Sequence, residues 1–263
     1  EEFYKLPVIT FIFNNGNLGM VRQWQNLIYD KHFSQTVLDR GPDFVKYAES
    51  FGLKARRVTQ PEELEAAIRE ALDEEMARDN TVFQMGEDIG VIGGNFKCTV
   101  GLRDKYGDLR VKDTPISEQG FVGMGVGAAL TGLRPVVELM FADFMMVCGD
   151  QLFNQMAKIT YMSGGQCNVP MVVRLPLGGG RSSAAQHSQS IHAWAAHIPG
   201  VKVVVPSTAG ECKGLLKTAI RDNNPVIFFE HKMLYTTKFD DVPDEGEDVC
   251  IPFGKARIVT EGS

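Results

Sequence analysis

The chain lacks the features of a membrane, nucleic-acid-binding or disulfide-stabilised protein. Its 263 residues contain no run of about 18 uncharged apolar residues that could span a bilayer, and they do not open on a signal-peptide pattern. There are 27 Lys and Arg against 33 Asp and Glu, which gives a net charge of −6 without any basic run. We therefore expect no binding to nucleic acid or to an anionic membrane surface.

Cysteine is also scarce, and its spacing excludes two kinds of site. The five cysteines are an odd number, lie far apart and form no CxxC pair. This pattern favours reduced, mostly buried thiols and disfavours both a disulfide framework and a zinc site. We expect the protein to be located in a cytoplasm of the bacterial type, with the mitochondrial matrix as the alternative. The cysteines are Cys98, Cys148, Cys167, Cys212 and Cys250.

What the chain does have is an alternation of short apolar strands and helices. Strands are predicted at residues 8–13, 55–58, 82–85, 136–141, 171–175, 201–205 and 226–230. Helices are predicted at residues 18–29, 43–51, 61–78, 100–106, 117–132, 144–162 and 208–222, the last with Ser207 as its cap. This order predicts an α/β fold with a parallel sheet covered by helices on both faces, and a partial second α/β unit at the N-terminus.

The stretch from Pro115 to Phe144 organises the rest of the chain. Ser117 is a good helix N-cap, and Glu118 follows in the first turn, where the helix dipole favours an anion. Glu118 is therefore either a dipole-stabilising surface residue or a functional one. Four glycines in this helix predict the close approach of another backbone, because each costs about 1 kcal/mol relative to alanine. They are Gly120, Gly123, Gly125 and Gly127.

From about residue 70 to 263 the chain resembles the beta subunit of the thiamine-diphosphate-dependent first component of 2-oxo acid dehydrogenases. The likeness to the acetoin dehydrogenase beta subunit is especially close. The motifs occur in the family's order and spacing. They are GEDIG (86–90), DTPISEQGFVGMGVGAALTGLRP (113–135), ELMFADF (138–144), YMSGGQ (161–166), AAQHSQS (184–190) and AIRDNNPV (219–226).

Residues 6–72 resemble another branch of the same superfamily, the end of the diphosphate-binding domain of acetolactate synthase. The segment LPVITFIFNNGNLGMVRQWQNLIYDKHFSQT carries this likeness. The two resemblances meet inside the predicted helix 61–78. They imply three regions: 1–60, a partial diphosphate-binding domain; 61–235, a transketolase-like pyrimidine-binding domain; and 236–263, a linker with the start of a transketolase C-terminal domain.

The resemblance implies an enzyme that uses thiamine diphosphate. In this superfamily a glutamate shares a proton with the aminopyrimidine ring of the cofactor, and Glu118 matches that position. Such a glutamate should be partly desolvated. Phe144 matches the aromatic residue that stacks on the ring, and Glu87 matches a second acid in the polar network between active sites.

His187 matches the histidine that handles the reacting intermediate or receives a lipoyl arm. It lies at the end of a glycine-rich loop, a common place for function. The family resemblance also implies partners. These are an alpha-type subunit that supplies the diphosphate half of the site, and the lipoyl-bearing acyltransferase core of a multienzyme complex, in a homo- or hetero-oligomer.

Two metal sites follow from the resemblances alone. Asn15 matches a ligand of the magnesium ion on the cofactor diphosphate, with the carbonyl of Asn17 as a second ligand, and Met20 matches a residue lining the cofactor pocket. A potassium site is implied at the motif AIRDNNPV. Its ligands would be carbonyl groups of Met171, Ala219, Ile220 and Asp222, together with Asn224.

The leading hypothesis is a beta-type subunit for oxidative decarboxylation of a 2-oxo acid, or for acetoin cleavage. The magnesium-binding aspartate of the synthase family would precede residue 1, so we expect little activity from this chain without a partner. The alternatives are an acetolactate-synthase-like carboligase and a catalytically silent module for cofactor binding or assembly.

Overall fold

The computed structural model of the chain describes residues 63–237 and 248–255. The predicted strands at 8–13 and 55–58 and the predicted helices at 18–29 and 43–51 lie outside these residues. The predicted boundaries of the three regions stay predictions.

Six parallel strands form the sheet, in the order β2-β1-β3-β4-β6-β5. The strands are β1 (Val82–Gly86), β2 (Val111–Asp113), β3 (Arg134–Glu138), β4 (Val172–Leu177), β5 (Lys202–Val204) and β6 (Val226–His231). The parallel sheet is as predicted. β2 was not predicted, because three residues are too few to show a periodicity.

Helices cover the sheet, and 3-10 and π segments connect parts of it. The α-helices are α1 (Glu63–Arg78), α2 (Leu102–Tyr106), α3 (Glu118–Leu130), α4 (Ala157–Met162), α5 (His192–His197) and α6 (Ala209–Arg221). Three 3-10 helices occupy Ala142–Met146, Ala185–His187 and Lys232–Thr236, and a π-helix occupies Gln151–Met156. None of the helices in the part of the chain that the structure describes is long and apolar enough to cross a membrane.

The sheet has two apolar layers, because successive strand residues point to opposite faces. On what we call the α1–α6 face, α1 and α6 pack on Val136, Val172 and Phe228. On what we call the α3 face, α3 and α5 pack with Val137 and Val173. The prediction of helices on both faces is therefore confirmed.

The predicted helix at 144–162 is wrong as one continuous element. The segment contains the end of a 3-10 helix, a turn at residues 147–148, and then a helical run from 149 to 162 that includes the π-helix and α4. The interruption is therefore at Val147 and Cys148, before the longer helical run begins. The apolar spacing matched a helix, but packing against the sheet divides it.

The glycines of α3 also differ from expectation. A Cβ added at Gly125 would lie 2.8 Å from Cε of Met171 and 2.9 Å from Cγ2 of Val137, while one at Gly127 would meet nothing within 4 Å. Gly125 therefore makes room for side chains of β3 and of the residue before β4. The atoms nearest to a Cβ at Gly125 belong to side chains and not to the backbone of another element.

The start of α6 corrects a smaller prediction. Its N-cap is Thr208, whose side chain accepts a hydrogen bond from the backbone N–H of Glu211. Ser207 stands one residue earlier and donates from its hydroxyl to the Glu211 carboxylate at 2.6 Å. Together, Thr208 and Ser207 provide hydrogen-bond partners for the backbone N–H and the side chain of Glu211 in the first turn of the helix.

Candidate functional site

Glu118 is the first residue of α3, with Ser117 at the N-cap position as predicted. The Ser117 side chain makes no capping hydrogen bond, so it does not satisfy the N–H groups of the first turn. The Glu118 side chain is only 7% exposed. A carboxylate here is stabilised by the helix dipole although it has lost most of its water. The partly desolvated state expected for this glutamate is therefore present.

Glu87 follows β1 directly and is also 7% exposed. Its Oε1 is buried and has no hydrogen-bond partner among the residues described. Burial, followed by the negative charges of Glu118 and Asp88, raises the pKa of Glu87 to about 7. The charge effect of Glu118 on Glu87 means that the two carboxylates lie close enough to influence each other. Near neutral pH Glu87 can therefore hold a proton.

His187 and Phe144 lie in contact with each other. The imidazole of His187 meets the ring of Phe144 edge-on, with centroids 5.4 Å apart, and the ring of Phe141 with centroids 4.7 Å apart. Phe144 is half-buried, so part of its ring remains free to contact a ligand. The structure thus places a histidine and an aromatic ring in one cluster.

The sequence did not reveal two charged residues of this cluster, Lys232 and Asp143. The ammonium group of Lys232 donates a hydrogen bond to the carbonyl of His187. The carboxylate of Asp143 accepts a hydrogen bond from the backbone N–H of Gln189, at 3.2 Å. Asp143 belongs to the motif ELMFADF, which was the one available signal. The contact of Lys232 joins residues far apart in the chain and leaves no local pattern.

Two of the carbonyl groups expected to bind potassium lie near the end of α6 and face a guanidinium group. Nη1 of Arg134 donates to the carbonyl of Ile220 at 2.9 Å and to that of Asp222 at 3.1 Å. A carbonyl oxygen has two lone pairs, so these bonds leave one on each oxygen. A potassium ion at these carbonyls would be a close neighbour of the guanidinium charge.

The other three predicted potassium ligands also have partners within the chain. The carbonyl of Met171 accepts from the backbone N–H of Val226 at 2.9 Å, and that of Ala219 from the N–H of Asp222 at 3.2 Å. The side-chain amide of Asn224 donates to the Asp222 carboxylate at 2.9 Å. All five predicted ligands therefore already take part in hydrogen bonds within the chain.

The predicted magnesium ligands Asn15 and Asn17, and the pocket residue Met20, lie outside the described residues. Within residues 63–237 and 248–255, no three His, Cys, Asp or Glu side chains are grouped so that they could hold a metal ion.

The residues that the structure describes fit the pyrimidine end of the cofactor. The buried carboxyl of Glu118 stands at a helix N-terminus, the neighbouring Glu87 has an unsatisfied oxygen, and the half-buried ring of Phe144 contacts His187. All follow strands of a parallel sheet near their carboxyl ends, where open α/β sheets bind ligands. The fold and the site therefore define a cofactor-binding α/β domain of the thiamine-diphosphate class.

Comparison with known proteins gives the family. The transketolase pyrimidine-binding domain family matches residues 62–238, and the chain belongs to that family. The C-terminal thiamine-pyrophosphate-binding domain of thiamine pyrophosphate enzymes matches residues 3–83. The two matches overlap across α1. The resemblance to thiamine-diphosphate-dependent enzymes is confirmed.

Similar proteins include dehydrogenase beta subunits. The chain is 51% identical to pyruvate dehydrogenase E1 component subunit beta of Gracilaria tenuistipitata var. liui, over 74% of this chain and 60% of that one. It is 53% identical to the same-named protein of Rhizobium meliloti, over 74% of this chain and 42% of that one. It is 48% identical to 2-oxoisovalerate dehydrogenase subunit beta of Bacillus subtilis, over 74% and 59%.

The chain thus spans about 60% or less of the length of these three relatives. A solved structure named "Split gene transketolase, inactive beta4 tetramer" is similar with a TM-score of 0.55 and 20% identity, over 72% of this chain and 56% of that one. That likeness shows the fold and confirms the transketolase-like architecture.

Proposed function

We propose that the chain acts as a beta-type subunit in thiamine-diphosphate-dependent oxidative decarboxylation of a 2-oxo acid, or in acetoin cleavage. The observation that carries this proposal is the pair of buried carboxyl groups of Glu118 and Glu87. Neither is in an ion pair with any residue of the described part. Buried acids normally have partners, because burying an unpaired charge is unfavourable. An unpaired buried acid pair therefore supports a role in proton transfer.

In the proposed role, Glu118 hydrogen-bonds the aminopyrimidine ring and shares a proton with it. Glu118 is only 7% exposed, so a hydrogen bond from its carboxyl group to the ring would be shielded from water. Thiamine diphosphate, when bound, supplies the carbon nucleophile and the electron sink for decarboxylation. Glu87, with a pKa of about 7, can hold a proton beside Glu118 near neutral pH.

Phe144 and His187 would act on the other side of the site. The half-buried ring of Phe144 offers a surface on which the aminopyrimidine can stack. His187, held edge-on against that ring, would orient or protonate the reacting group, or meet an incoming lipoyl arm. Both roles rest on the family resemblance and on the contact between the two rings.

Exposed apolar residues near the site support a partner subunit. Val91 is 82% exposed and follows the Glu87 turn, while Ile116 is 84% exposed and precedes Glu118. Val147 is also exposed and follows Phe144. We propose that an alpha-type subunit covers these residues and supplies the diphosphate half of the site. Exposed apolar surface of this kind commonly marks an interface.

The remaining family features belong to the same proposal. Asn15 and Asn17 would bind magnesium on the cofactor diphosphate, and Met20 would line the pocket, in the segment that is similar to acetolactate synthase. The complex would be an oligomer that transfers its product to a lipoyl-bearing acyltransferase core. We place it in a bacterial-type cytoplasm or a mitochondrial matrix.

We also propose potassium binding by the free lone pairs of Ile220 and Asp222, with Met171, Ala219 and Asn224. Arg134 already neutralises this helix end, so the effect of an ion should be small. The test compares thermal unfolding in potassium and sodium chloride at equal ionic strength. A melting temperature raised by potassium supports the site, and identical curves contradict it.

The main test replaces Glu118 by Gln in a complex of the chain with an alpha-type subunit. The amide cannot share a proton with the ring as a carboxyl does. We expect hydrogen–deuterium exchange at the thiazolium carbon to fall by about 10²- to 10⁴-fold while the circular dichroism spectrum is unchanged. Glu75→Gln is the control, since Glu75 is a fully buried glutamate on the α1–α6 face. Exchange at the parental rate in Glu118→Gln would show that another residue activates the cofactor.

Titration with thiamine diphosphate and magnesium separates the alternatives. Binding and turnover only in the mixture with an alpha-type subunit support the proposed function. Robust turnover of pyruvate by the chain without a partner favours the carboligase. Absence of binding in both conditions favours the silent assembly module.

A further inference from the structure

His187 is held through its backbone by two charged side chains from other parts of the chain. Lys232 is fully buried at the start of its 3-10 helix, and its Nζ donates to the His187 carbonyl. Asp143 is 6% exposed and accepts from the N–H of Gln189. The two contacts lie at either end of residues 187–189. We use the name His187 clamp for these three residues together with Lys232 and Asp143.

The clamp also reaches the imidazole side of His187. Nζ of Lys232 lies 5.2 Å from the centre of the Phe141 ring, a distance at which a cation and an aromatic face attract. The same ring packs edge-on against the His187 imidazole, at 4.7 Å. Lys232 therefore contacts the backbone of His187 and the ring of Phe141. That ring restricts the rotation of the His187 side chain.

The environment of Lys232 differs from that of the other buried lysines. Lys213 and Lys217 are equally buried, and each forms ion pairs with two carboxylates. Lys232 forms no ion pair with a residue of the described ranges. Burial lowers its pKa, the nearby charge of Asp143 raises it and that of Arg181 lowers it.

One carboxylate oxygen of Asp143, Oδ2, is buried without a hydrogen-bond partner in the same part of the chain. A buried amine and a buried carboxylate that both bond to backbone groups instead of to each other are unfavourable for stability alone. What the arrangement does achieve is a defined position for residues 187–189.

We propose that Lys232 and Asp143 are positioning residues that hold the His187 imidazole against Phe141 and Phe144. The part that His187 plays in the reaction rests on the proposed function. The clamp itself is a property of the folded chain, and it can be measured without turnover.

Hydrogen–deuterium exchange of the full chain tests the clamp directly. In Lys232→Met we expect backbone amides 187–190 to exchange about tenfold faster or more, because the carbonyl loses its donor. Lys232→Arg, which keeps a donor, should restore most of the protection. Lys213→Met is the matched control, since it removes an equally buried lysine on the other face. Unchanged exchange at residues 187–190 in Lys232→Met would overturn the proposal.

Asp143 gives a second, independent pair of variants in case Lys232→Met does not fold. Asp143→Asn keeps an oxygen that can accept from Gln189, whereas Asp143→Ala removes it. We expect the Gln189 amide to exchange faster in Asp143→Ala than in Asp143→Asn. Equal exchange in both variants and in the parent would contradict a clamp at this residue.

Turnover of the complex with an alpha-type subunit separates the two proposals. If His187 must be positioned, Lys232→Met should lower kcat about ten- to hundredfold, with Lys232→Arg rescuing it and the KM for thiamine diphosphate changing little. A parental kcat in Lys232→Met would overturn the positioning role while leaving the proposed function intact. If the parent complex has no cofactor-dependent turnover but the exchange differences appear, the clamp is supported and the proposed function fails.

Discussion

On the α1–α6 face of the sheet buried charges lie in ion pairs, whereas on the α3 face several buried polar atoms have no partner within the described ranges. α1 and α6 are joined by Lys213 with Glu70 and Glu74, and by Arg221 with Glu75. The acidic residues lie on α1 and the basic residues on α6, so these charges meet their opposites across the contact between the two helices.

The strands add a second paired group on the same face. Arg174 donates to Glu230 from Nε at 2.6 Å and to Glu138 from Nη1 at 2.9 Å. Tyr235 donates its hydroxyl to Glu230 as well. Burial raises the pKa of the neighbouring Cys98 thiol to about 12, so this cysteine stays neutral. All these groups are satisfied, as a structural cluster requires.

The α3 face and its adjoining loops differ from the α1–α6 face because they contain buried polar atoms without a hydrogen-bond partner in the described part of the chain. Buried atoms without a partner in the described part of the chain occur in Glu87, Thr114, Asp143, Gln151 and His192. Each belongs to a segment that leads into or packs beside the candidate site. Unsatisfied buried groups are few in stable folds and concentrate where a ligand or a reaction needs them. The contrast between the faces therefore separates the scaffold from the site.

The largest expected effect comes from breaking the paired cluster. Arg174→Met leaves Glu138 and Glu230 buried without a cation, and we expect a loss of about 3–5 kcal/mol in the free energy of unfolding. Chemical denaturation followed by circular dichroism measures it. The control is Arg103→Met, because Arg103 and Asp113 are about one-third exposed and their pair should contribute about 1 kcal/mol or less. A loss from Arg174→Met as small as from the control would refute the contrast.

The pH dependence of stability should reveal the unpaired acids. The pKa of Glu87 is raised from 4.5 to about 7, so across this range the folded chain binds a proton that the unfolded chain has lost. Stability therefore falls as pH rises from 4.5 to 7 and is level above. We expect Glu87→Gln to remove about 1–2 kcal/mol of this decline, after allowance for solvent screening. Denaturation curves at several pH values measure it, and parallel profiles for parent and variant would contradict the raised pKa.

The smallest expected effect on stability concerns the N-cap residues of α6 and α3. Thr208 caps α6 with its side chain, whereas Ser117 makes no such bond at the start of α3. We expect Thr208→Ala to lower the free energy of unfolding by about 1 kcal/mol and Ser117→Ala by less than about 0.5 kcal/mol. Paired thermal denaturation measures the difference. Equal losses would show that the α3 start is capped after all.

Much of the site could be predicted because its signals are local. Ser117 and Glu118 mark a helix start by their order in the chain, and His187 and Phe144 stand within recognisable motifs. In the structure, the side chains of His187 and Phe144 are in contact. Lys232 and Asp143 could not be predicted, since their contacts to residues 187–189 link separate segments. The turn at residues 147–148, which interrupts the predicted helix, was missed for the related reason that periodicity does not report packing.

By itself the sequence determined the alternation of strands and helices, the family, and which residue types stand at the carboxyl ends of the strands. These properties depend on neighbours in the chain, so they can be read from order and spacing. Only the tertiary structure decided which buried charges find partners. Arg174 reaches two glutamates from separate strands, while Glu87 and Glu118 come close with no cation between them in the described residues. Burial and charge pairing are set by contacts between distant segments, and those contacts exist only once the sheet has formed.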